Sequence, residues 1–304
     1  MVTLRDRYRG CLLGLACGDA LGGPVEFESR RWIAERYPDG VRDFVGGGWL
    51  SLEPGEVTDD TQLTLALARS LGQGGALDMA GVAHNFREWH RSCPKDEGNL
   101  TRAALNLLDG GTPWTEAGEI ARGTGASSGA GNGSVMRCAP VALRFASDRG
   151  SLISASIDTS RITHADPRCT WGTVTVNQAI VWLLAGGDKN GVVKAAIDGI
   201  AEPTVVDAVE RSQTIAPTDL NASGYVLNTL TSAFWALLSY STLEEVIVEA
   251  VGLGRDTDTT GAVAGALAGA HWGRPGIPDR WLVLLQPRQE LEDISDRLLA
   301  LAHN

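Results

Sequence analysis

The apolar residues of this chain recur with the spacing of an α-helix along most of its length. Residues three and four positions apart lie on the same side of a helix. The first such face comprises Leu4, Tyr8, Cys11, Leu12 and Leu15. A later face comprises Leu63, Ala66, Leu67, Ser70 and Leu71. Thr58 precedes that face as a candidate N-cap and Gly72 follows it as a candidate stop, so the pattern predicts a helix between them.

Apolar and polar residues almost never alternate with the period of two that is typical of strands. The pattern therefore predicts neither a doubly wound sheet nor a β-sandwich. Thr112 followed by Pro113 predicts an N-cap and the first residue of a helix. The stretch 262–270 is rich in Ala and Gly, which allow the backbones of neighbouring helices to approach closely. No linker, charge block or internal repeat divides the chain, and the sequence thus predicts one compact all-α domain over residues 1–304.

The composition excludes several classes of protein. Of the 304 residues 43% are hydrophobic, which is enough for a sizeable core and too many for a disordered chain. Asp and Glu number 37 against 26 Lys and Arg, for a net charge of −11. A surface this acidic repels phosphate groups, so we expect neither general nucleic-acid binding nor docking on an anionic membrane. No apolar run approaches the ~18 residues of a membrane-spanning helix, so we expect no membrane insertion.

The cysteines and the N-terminus indicate a compartment. The 5 cysteines are an odd number, and no two have the CxxC spacing of a zinc site, so we expect reduced thiols in a cytoplasmic protein. Three arginines before the apolar stretch 11–17 resemble the start of a signal peptide. The stretch is short, Asp6 and Asp19 flank it and no clear cleavage motif follows, so we interpret it as a buried first helix.

Two acidic clusters stand where helices are predicted to begin. The first contains Thr58, Asp59 and Asp60, and the second contains Asp256, Asp258 and Thr259. Taken alone, each is typical of an N-cap with acids favoured by the helix dipole. Together they offer four carboxylates and several hydroxyls with almost no lysine nearby, which suggests a shared site for divalent cations. Oxygen ligands favour Mg²⁺ or Mn²⁺ over Zn²⁺, and the number of ligands is compatible with two ions.

A glycine-rich stretch, 127–134, returns directly to apolar residues from Val135 onward. Backbone N–H groups in such a turn can bind phosphate oxygens. The stretch lacks the G-K-[ST] of a P-loop and no βαβ unit surrounds it, so neither nucleotide-binding fingerprint applies. A flexible linker is the alternative interpretation, and the embedded Asn132 favours a binding turn.

Three further polar residues stand in predicted loops. By sequence alone Glu26 and Asp96 are interpreted as solvated loop acids, and His164 as a structural histidine. Nothing in their local sequence assigns them a chemical role.

Four of these motifs, taken in order, resemble those of the ADP-ribosylglycohydrolase family. They are Val57-Thr-Asp-Asp-Thr-Gln62, Gly131-Asn-Gly-Ser-Val-Met-Arg137, Ile162-Thr-His164 and Arg255-Asp-Thr-Asp-Thr259. The resemblance extends from Tyr8 to at least Gly265. The segments 46–50 and 55–60 look most like the bacterial branch that contains dinitrogenase reductase-activating glycohydrolase.

The resemblance implies a role for each candidate residue. Two ions, Mg²⁺ or Mn²⁺, would be held by Thr58, Asp59 and Asp60 from one side and by Asp256, Asp258 and Thr259 from the other. The diphosphate of the substrate would be wrapped by Gly129, Ala130, Gly131, Asn132, Gly133 and Ser134, with His164 near the substrate. Asp96 and Glu26 match the family's additional active-site acids, Asp96 as the candidate for proton transfer and Glu26 as a supporting or gating acid.

The resemblance also implies a fold and an activity. The fold is an orthogonal all-α domain with a dinuclear metal site, and the reaction removes ADP-ribose from a modified side chain, arginine in the bacterial branch. The partner would be an ADP-ribosylated protein or a small ADP-ribosyl substrate. Two alternatives remain, a two-metal phosphohydrolase of nucleotide diphosphates and a catalytically silent structural or binding member. The intact aspartates argue against the silent member.

Overall fold

Helices account for the regular structure in the computed structural model of this chain, which describes residues 2–125 and 130–303. The α-helices are α1 (Leu4–Gly22), α2 (Arg30–Arg36), α3 (Asp59–Leu71), α4 (Met79–Arg91), α5 (Asn99–Asp109), α6 (Trp114–Gly123), α7 (Ala139–Arg144), α8 (Arg149–Arg161), α9 (Pro167–Leu184), α10 (Val192–Ala196), α11 (Pro203–Arg211), α12 (Val226–Ser239), α13 (Leu243–Val251), α14 (Thr257–Trp272), α15 (Asp279–Leu284) and α16 (Arg288–Ala302). Short 3-10 helices occupy Gly23–Val25, Val135–Arg137, Lys189–Gly191, Pro217–Asp219 and Arg274–Gly276. Within those described ranges no strand forms, so the all-α prediction is confirmed.

The helices α1 and α14 form the central pair of the fold. Three glycines of α1, Gly10, Gly14 and Gly18, face three glycines of α14, Gly269, Gly265 and Gly261. A Cβ atom on Gly14 would lie 2.3 Å from the carbonyl oxygen of Gly265, so the two backbones are in direct contact. The predicted close approach of the Ala- and Gly-rich stretch is confirmed. The contact also buries α1 on all sides from Gly10 to Gly22, whereas the sequence pattern predicted a single buried face.

We expect Gly14→Ala to destabilise the fold. The added methyl group meets only backbone atoms of α14, so the two helices must separate. Overpacking of this kind costs about 1–3 kcal/mol in the free energy of unfolding, measured by urea denaturation. Gly123→Ala is the matched control, because a Cβ atom there has nothing within 4 Å. Equal stability of the two variants would contradict the packing of α1 on α14.

Two predicted helix starts are corrected by the structure. Helix α3 does lie between Thr58 and Gly72, but the Thr58 side chain makes no capping hydrogen bond. Helix α6 begins at Trp114 rather than at Pro113. Pro113 has a ψ of 144°, so its backbone is still extended and it occupies the N-cap position itself.

The core is continuous from Tyr8 in α1 to Leu298 in α16 and includes residues of most helices. Helix α14 contacts α1, α13, α12 and α9, so several elements fix its position. In the described part of the chain, none of the helices combines the length and apolar content that a membrane span requires.

Candidate active site

The two acidic clusters predicted from the sequence meet where α3 and α14 begin. The Thr58 hydroxyl lies 3.4 Å from Oδ2 of Asp60 and 3.5 Å from Oδ2 of Asp258, a residue 200 positions away. The Thr259 hydroxyl lies 3.5 Å from the same Asp60 oxygen. Asp59 and Asp256 join these residues, and all six side chains are buried or nearly so. The fold therefore gathers four carboxylates and two hydroxyls into one place.

A fifth buried aspartate, Asp19 of α1, organises the start of α3. Its carboxylate accepts hydrogen bonds from the backbone N–H of Thr58 at 2.9 Å, the N–H of Thr61 at 3.0 Å and the Thr61 hydroxyl at 2.5 Å. The Thr61 N–H is one that an N-cap side chain normally satisfies, and the Thr58 N–H is one that the third residue of a helix satisfies in a capping box. Because Asp19 supplies the cap from another helix, the Thr58 hydroxyl is free to face the aspartates.

Sequence reasoning missed the role of Asp19, which it treated only as an acid flanking an apolar stretch. The available signal was an aspartate inside a predicted buried helix, since a buried charge needs partners. Burial raises the pKa of Asp19 to about 6, while its hydrogen bonds to Thr61 and Thr58 oppose that rise.

The clustered aspartates repel one another in the absence of a cation. Burial, followed by the charges of neighbouring acids, raises the pKa values of Asp59, Asp60 and Asp258 well above their ordinary range. Two buried oxygens, Oδ1 of Asp60 and Oδ1 of Asp256, have no hydrogen-bond partner. Buried polar atoms are normally satisfied, so these two are suited to bind an ion.

A cavity of about 520 Å³ opens above the aspartates. The predicted site residues that line it are Glu26, Asp59, Asp96, Gly131, Asn132, Gly133, His164, Asp256, Asp258 and Thr259. Thr58 and Asp60 are 2% and 1% exposed and lie outside that lining, as do the buried Ala130 and Ser134. Gly129 lies outside the residues that the structure describes.

Two acids from separate loops reach the cavity beside the aspartate cluster. Glu26, Asp96 and Asp258 each contribute a carboxylate oxygen to a group in which all such atoms lie within 4.8 Å of one another. Burial and the charges of Asp96 and Asp256 raise the pKa of Glu26 to about 9, opposed by a hydrogen bond from Trp49 Nε1 at 2.7 Å. Burial also raises the pKa of Asp96. Neither side chain is the solvated loop acid that its local sequence indicated.

Hydrogen bonds of Asn132 hold the glycine-rich loop beside Asp256. The Asn132 side chain donates to Asp256 Oδ2 and to the Thr229 hydroxyl, each at 2.9 Å. Its backbone N–H donates to the carbonyl of Gly224 at 3.1 Å. Asn132 therefore fixes the loop against both the aspartate cluster and the start of α12. A flexible linker, the alternative interpretation, does not describe residues 130–134.

A buried chain of hydrogen bonds orients His164. The Arg137 guanidinium donates to the carbonyl of Gly133 at 2.7 Å and to the Thr163 hydroxyl at 2.6 Å. The Thr163 oxygen lies 2.7 Å from Nδ1 of His164. The Thr163 hydroxyl is thus a hydrogen-bond partner of both Arg137 and Nδ1 of His164, and this contact fixes the orientation of the imidazole. Burial and the Arg137 charge lower the pKa of His164 to about 3, so the ring is neutral.

We expect Thr163→Val to leave the His164 ring less firmly oriented. Without the hydroxyl, Arg137 loses an acceptor and His164 Nδ1 loses its hydrogen-bond partner, so the balance between the two imidazole tautomers should change. For ADP-ribose, the ligand that the sequence resemblance implies, the affinity should fall about tenfold by calorimetry, the usual cost of one hydrogen bond to a charged group. Nitrogen NMR shifts of His164 report the tautomer directly. Thr163→Ser keeps the hydroxyl and should match the unmodified protein; equal behaviour of the Val and Ser variants would contradict the proposed chain.

Comparison with known proteins gives matches over the whole chain. A statistical model of the ADP-ribosylglycohydrolase family matches residues 1–304. The chain is 35% identical to ADP-ribosyl-[dinitrogen reductase] glycohydrolase of Rhodospirillum rubrum, covering 99% of this chain and 98% of that protein. It is 33% identical to ADP-ribosylarginine hydrolase Tri1 of Pseudomonas putida (strain GB-1), covering 96% of this chain and 78% of that protein. A solved "ADP-ribosylglycohydrolase-related protein complex" superimposes with a TM-score of 0.86 at 35% identity, covering 99% of this chain and 100% of that chain.

Proposed function

Because this chain belongs to the ADP-ribosylglycohydrolase family, we propose that it hydrolyses the N-glycosidic bond between ADP-ribose and an arginine side chain, using two divalent cations, Mg²⁺ or Mn²⁺. One observation carries the proposal: aspartates from two distant helix starts converge on shared threonine hydroxyls beneath a cavity. The arginine linkage is supported by the similarity to the hydrolase Tri1, whose name specifies ADP-ribosylarginine.

The cluster fits divalent cations. Thr58, Asp59 and Asp60 would hold them from α3, and Asp256, Asp258 and Thr259 from α14. The unpartnered oxygens of Asp60 and Asp256 supply ligands, and hard oxygen donors suit Mg²⁺ and Mn²⁺. When bound, such ions polarise sugar hydroxyls and lower the pKa of water.

We assign to Asp96 the catalytic role at the N-glycosidic bond. Cleavage of an N-glycosidic bond develops positive charge on the sugar, and a carboxylate facing the cavity stabilises that charge. Its raised pKa also suits a group that must hold and release a proton. Glu26 places a second carboxylate beside Asp96 from a different loop, and the Trp49 indole holds it there by a hydrogen bond.

The glycine-rich loop and His164 bind the nucleotide in this proposal. Gly131, Asn132 and Gly133 present backbone to the cavity, and a Cβ atom on Gly133 would lie 2.6 Å from Cε1 of His164. The loop backbone can approach the imidazole this closely only because position 133 lacks a side chain. The neutral His164 ring therefore lies directly against the loop that we propose binds the diphosphate.

The test compares linkages and metals in one assay. The protein is incubated with peptides carrying ADP-ribose on arginine or on serine and with ADP-ribosylated nucleobase, each with Mn²⁺ or with EDTA. We expect free ADP-ribose from the arginine peptide in Mn²⁺ alone. Release of AMP or phosphate would instead indicate a phosphohydrolase, and the lack of any product would indicate a silent binding protein.

A further inference from the structure

Two exposed aromatic rings stand at the mouth of the cavity beside Glu26. Phe27 is 68% exposed and Trp49 is 53% exposed, and both line the cavity. Their ring centroids lie 5.4 Å apart with an interplanar angle of 43°. Large apolar side chains are normally covered in a folded protein, so a pair of them at a site mouth indicates a contact with something that binds there.

The backbone holds Phe27 in this position at a conformational cost. Phe27 has a φ of 66° and Arg255 has a φ of 67°, a region that side-chain-bearing residues rarely adopt. Two hydrogen bonds maintain it, from Phe27 N–H to the Arg255 carbonyl at 2.6 Å and from Arg255 N–H to the Glu28 carbonyl at 2.7 Å. Strained positions of this kind persist where the surrounding structure fixes them, often at binding sites. The ring is thus tied to the loop that carries Asp256.

The charges around the rings favour a cation. Among the described residues the cavity lining contains six acids, Glu26, Asp59, Asp96, Glu97, Asp256 and Asp258, and two cationic side chains, Lys95 and Arg102, beside the neutral His164. Each base is already in an ion pair, Lys95 with Glu56 at 2.7 Å and Arg102 with Glu97 at 3.1 Å. The lining therefore holds no unpaired positive charge to repel an incoming cation.

Trp49 and the glycine-rich loop are held by different acids of the cavity, and we assign the region beside Trp49 to the acceptor side chain. Trp49 is bonded to Glu26, whereas the glycine-rich loop proposed to bind the diphosphate is bonded to Asp256 and Gly224. A guanidinium group is planar and weakly hydrated, and it stacks on aromatic faces. Metal ions would take up much of the carboxylate charge, but the attraction of a ring face for a cation remains.

We propose that the faces of Phe27 and Trp49 bind the guanidinium group of the arginine that carries ADP-ribose, and so select the acceptor side chain. This inference rests on the proposed function. Phe27 is the position to change, because the Trp49 indole also holds Glu26 and its loss would disturb that acid.

The experiment uses the full chain with Mn²⁺, an ADP-ribosylated arginine peptide, and the variants Phe27→Leu and Phe27→Tyr. Leucine keeps an apolar side chain without a ring face, and tyrosine restores the face. We expect Phe27→Leu to lower kcat/KM about threefold to thirtyfold, through KM with kcat little changed, since that is the range of one cation–π contact. Phe27→Tyr should stay within about twofold of the unmodified protein. Calorimetry with ADP-ribose alone should give the same Kd for all three proteins.

Two results would overturn the inference. One is an unchanged kcat/KM in Phe27→Leu, and the other is an equal weakening of ADP-ribose binding, which would place the ring against the nucleotide. If the unmodified protein releases no ADP-ribose from the arginine peptide, the proposed function itself fails. An active unmodified protein with an unaffected Phe27→Leu variant disproves only the role of the rings.

Discussion

Asp258→Asn is expected to reduce ADP-ribose release to the background rate by weakening the binding of metal ions. The Asp258 carboxylate faces the Thr58 hydroxyl shared with Asp60, at the point where α3 and α14 meet. The loss of a residue that only orients a metal ligand lowers metal affinity about tenfold to a hundredfold. The loss of the charge of a ligand itself should therefore lower it at least about a hundredfold. Calorimetric titration with Mn²⁺ measures that loss, and Asp60→Asn should behave in the same way.

The same variant should not be destabilised when metal is absent. Burial and the charges of Glu26 and Asp60 raise the pKa of Asp258, so its ionised form is unfavourable in the folded protein. Asparagine removes that repulsion, and urea unfolding in EDTA should show equal or greater stability. The exposed Asp207 on α11 provides the control, because Asp207→Asn should change neither metal affinity nor activity. Full activity in EDTA, or unchanged Mn²⁺ affinity in Asp258→Asn, would contradict the metal assignment.

Asp96→Asn is expected to lower kcat by about a hundredfold or more while leaving metal affinity nearly unchanged. Asparagine retains the size of the side chain but carries no charge, so the comparison isolates the carboxylate. Single-turnover release of ADP-ribose and titration with Mn²⁺ separate the two effects.

Glu97→Gln tests whether a fall in kcat comes from disturbing the loop that carries Asp96 rather than from removing the Asp96 charge. Glu97 is bonded to His90 at 2.6 Å and to Arg102 at 3.1 Å, so its loss disturbs the loop while Asp96 keeps its carboxylate. We expect a much smaller fall in kcat. If Asp96→Asn turns over normally, proton transfer is assigned to Glu26 instead. If Asp96→Asn loses metal affinity, Asp96 is a metal ligand or positions one.

The parts of the site that could be predicted from the sequence are those whose signal is local. Asp59 and Asp60 stand side by side before an apolar helical face, and Asp256 and Asp258 open an Ala-rich one. Their composition indicates cation binding without any knowledge of the fold. Their meeting could only be inferred, since nothing in either segment specifies the distance between them.

The parts that could not be predicted depend on pairs of residues far apart in the chain. Asp19 accepts from Thr58, 39 positions away, and only the packing of α1 near α3 creates that contact. Asp19 also accepts from the Thr61 N–H, which explains why Thr58 occupies the predicted N-cap position without a capping hydrogen bond from its side chain. The hydrogen bond from the Trp49 indole to Glu26 likewise joins two separate loops. The periodicity of apolar residues in the sequence does not predict such a bond.

The sequence by itself determined the helical class of this protein and the close packing of its central helices. Both follow from local properties, the 3.6-residue period of apolar side chains and the small size of glycine at three positions of α1 and three of α14. Tertiary structure decided which groups share the site, how far Glu26 and Asp96 are desolvated, and which side chains hold the His164 ring. Burial and long-range hydrogen bonds set those properties, and both exist only once distant segments have packed together.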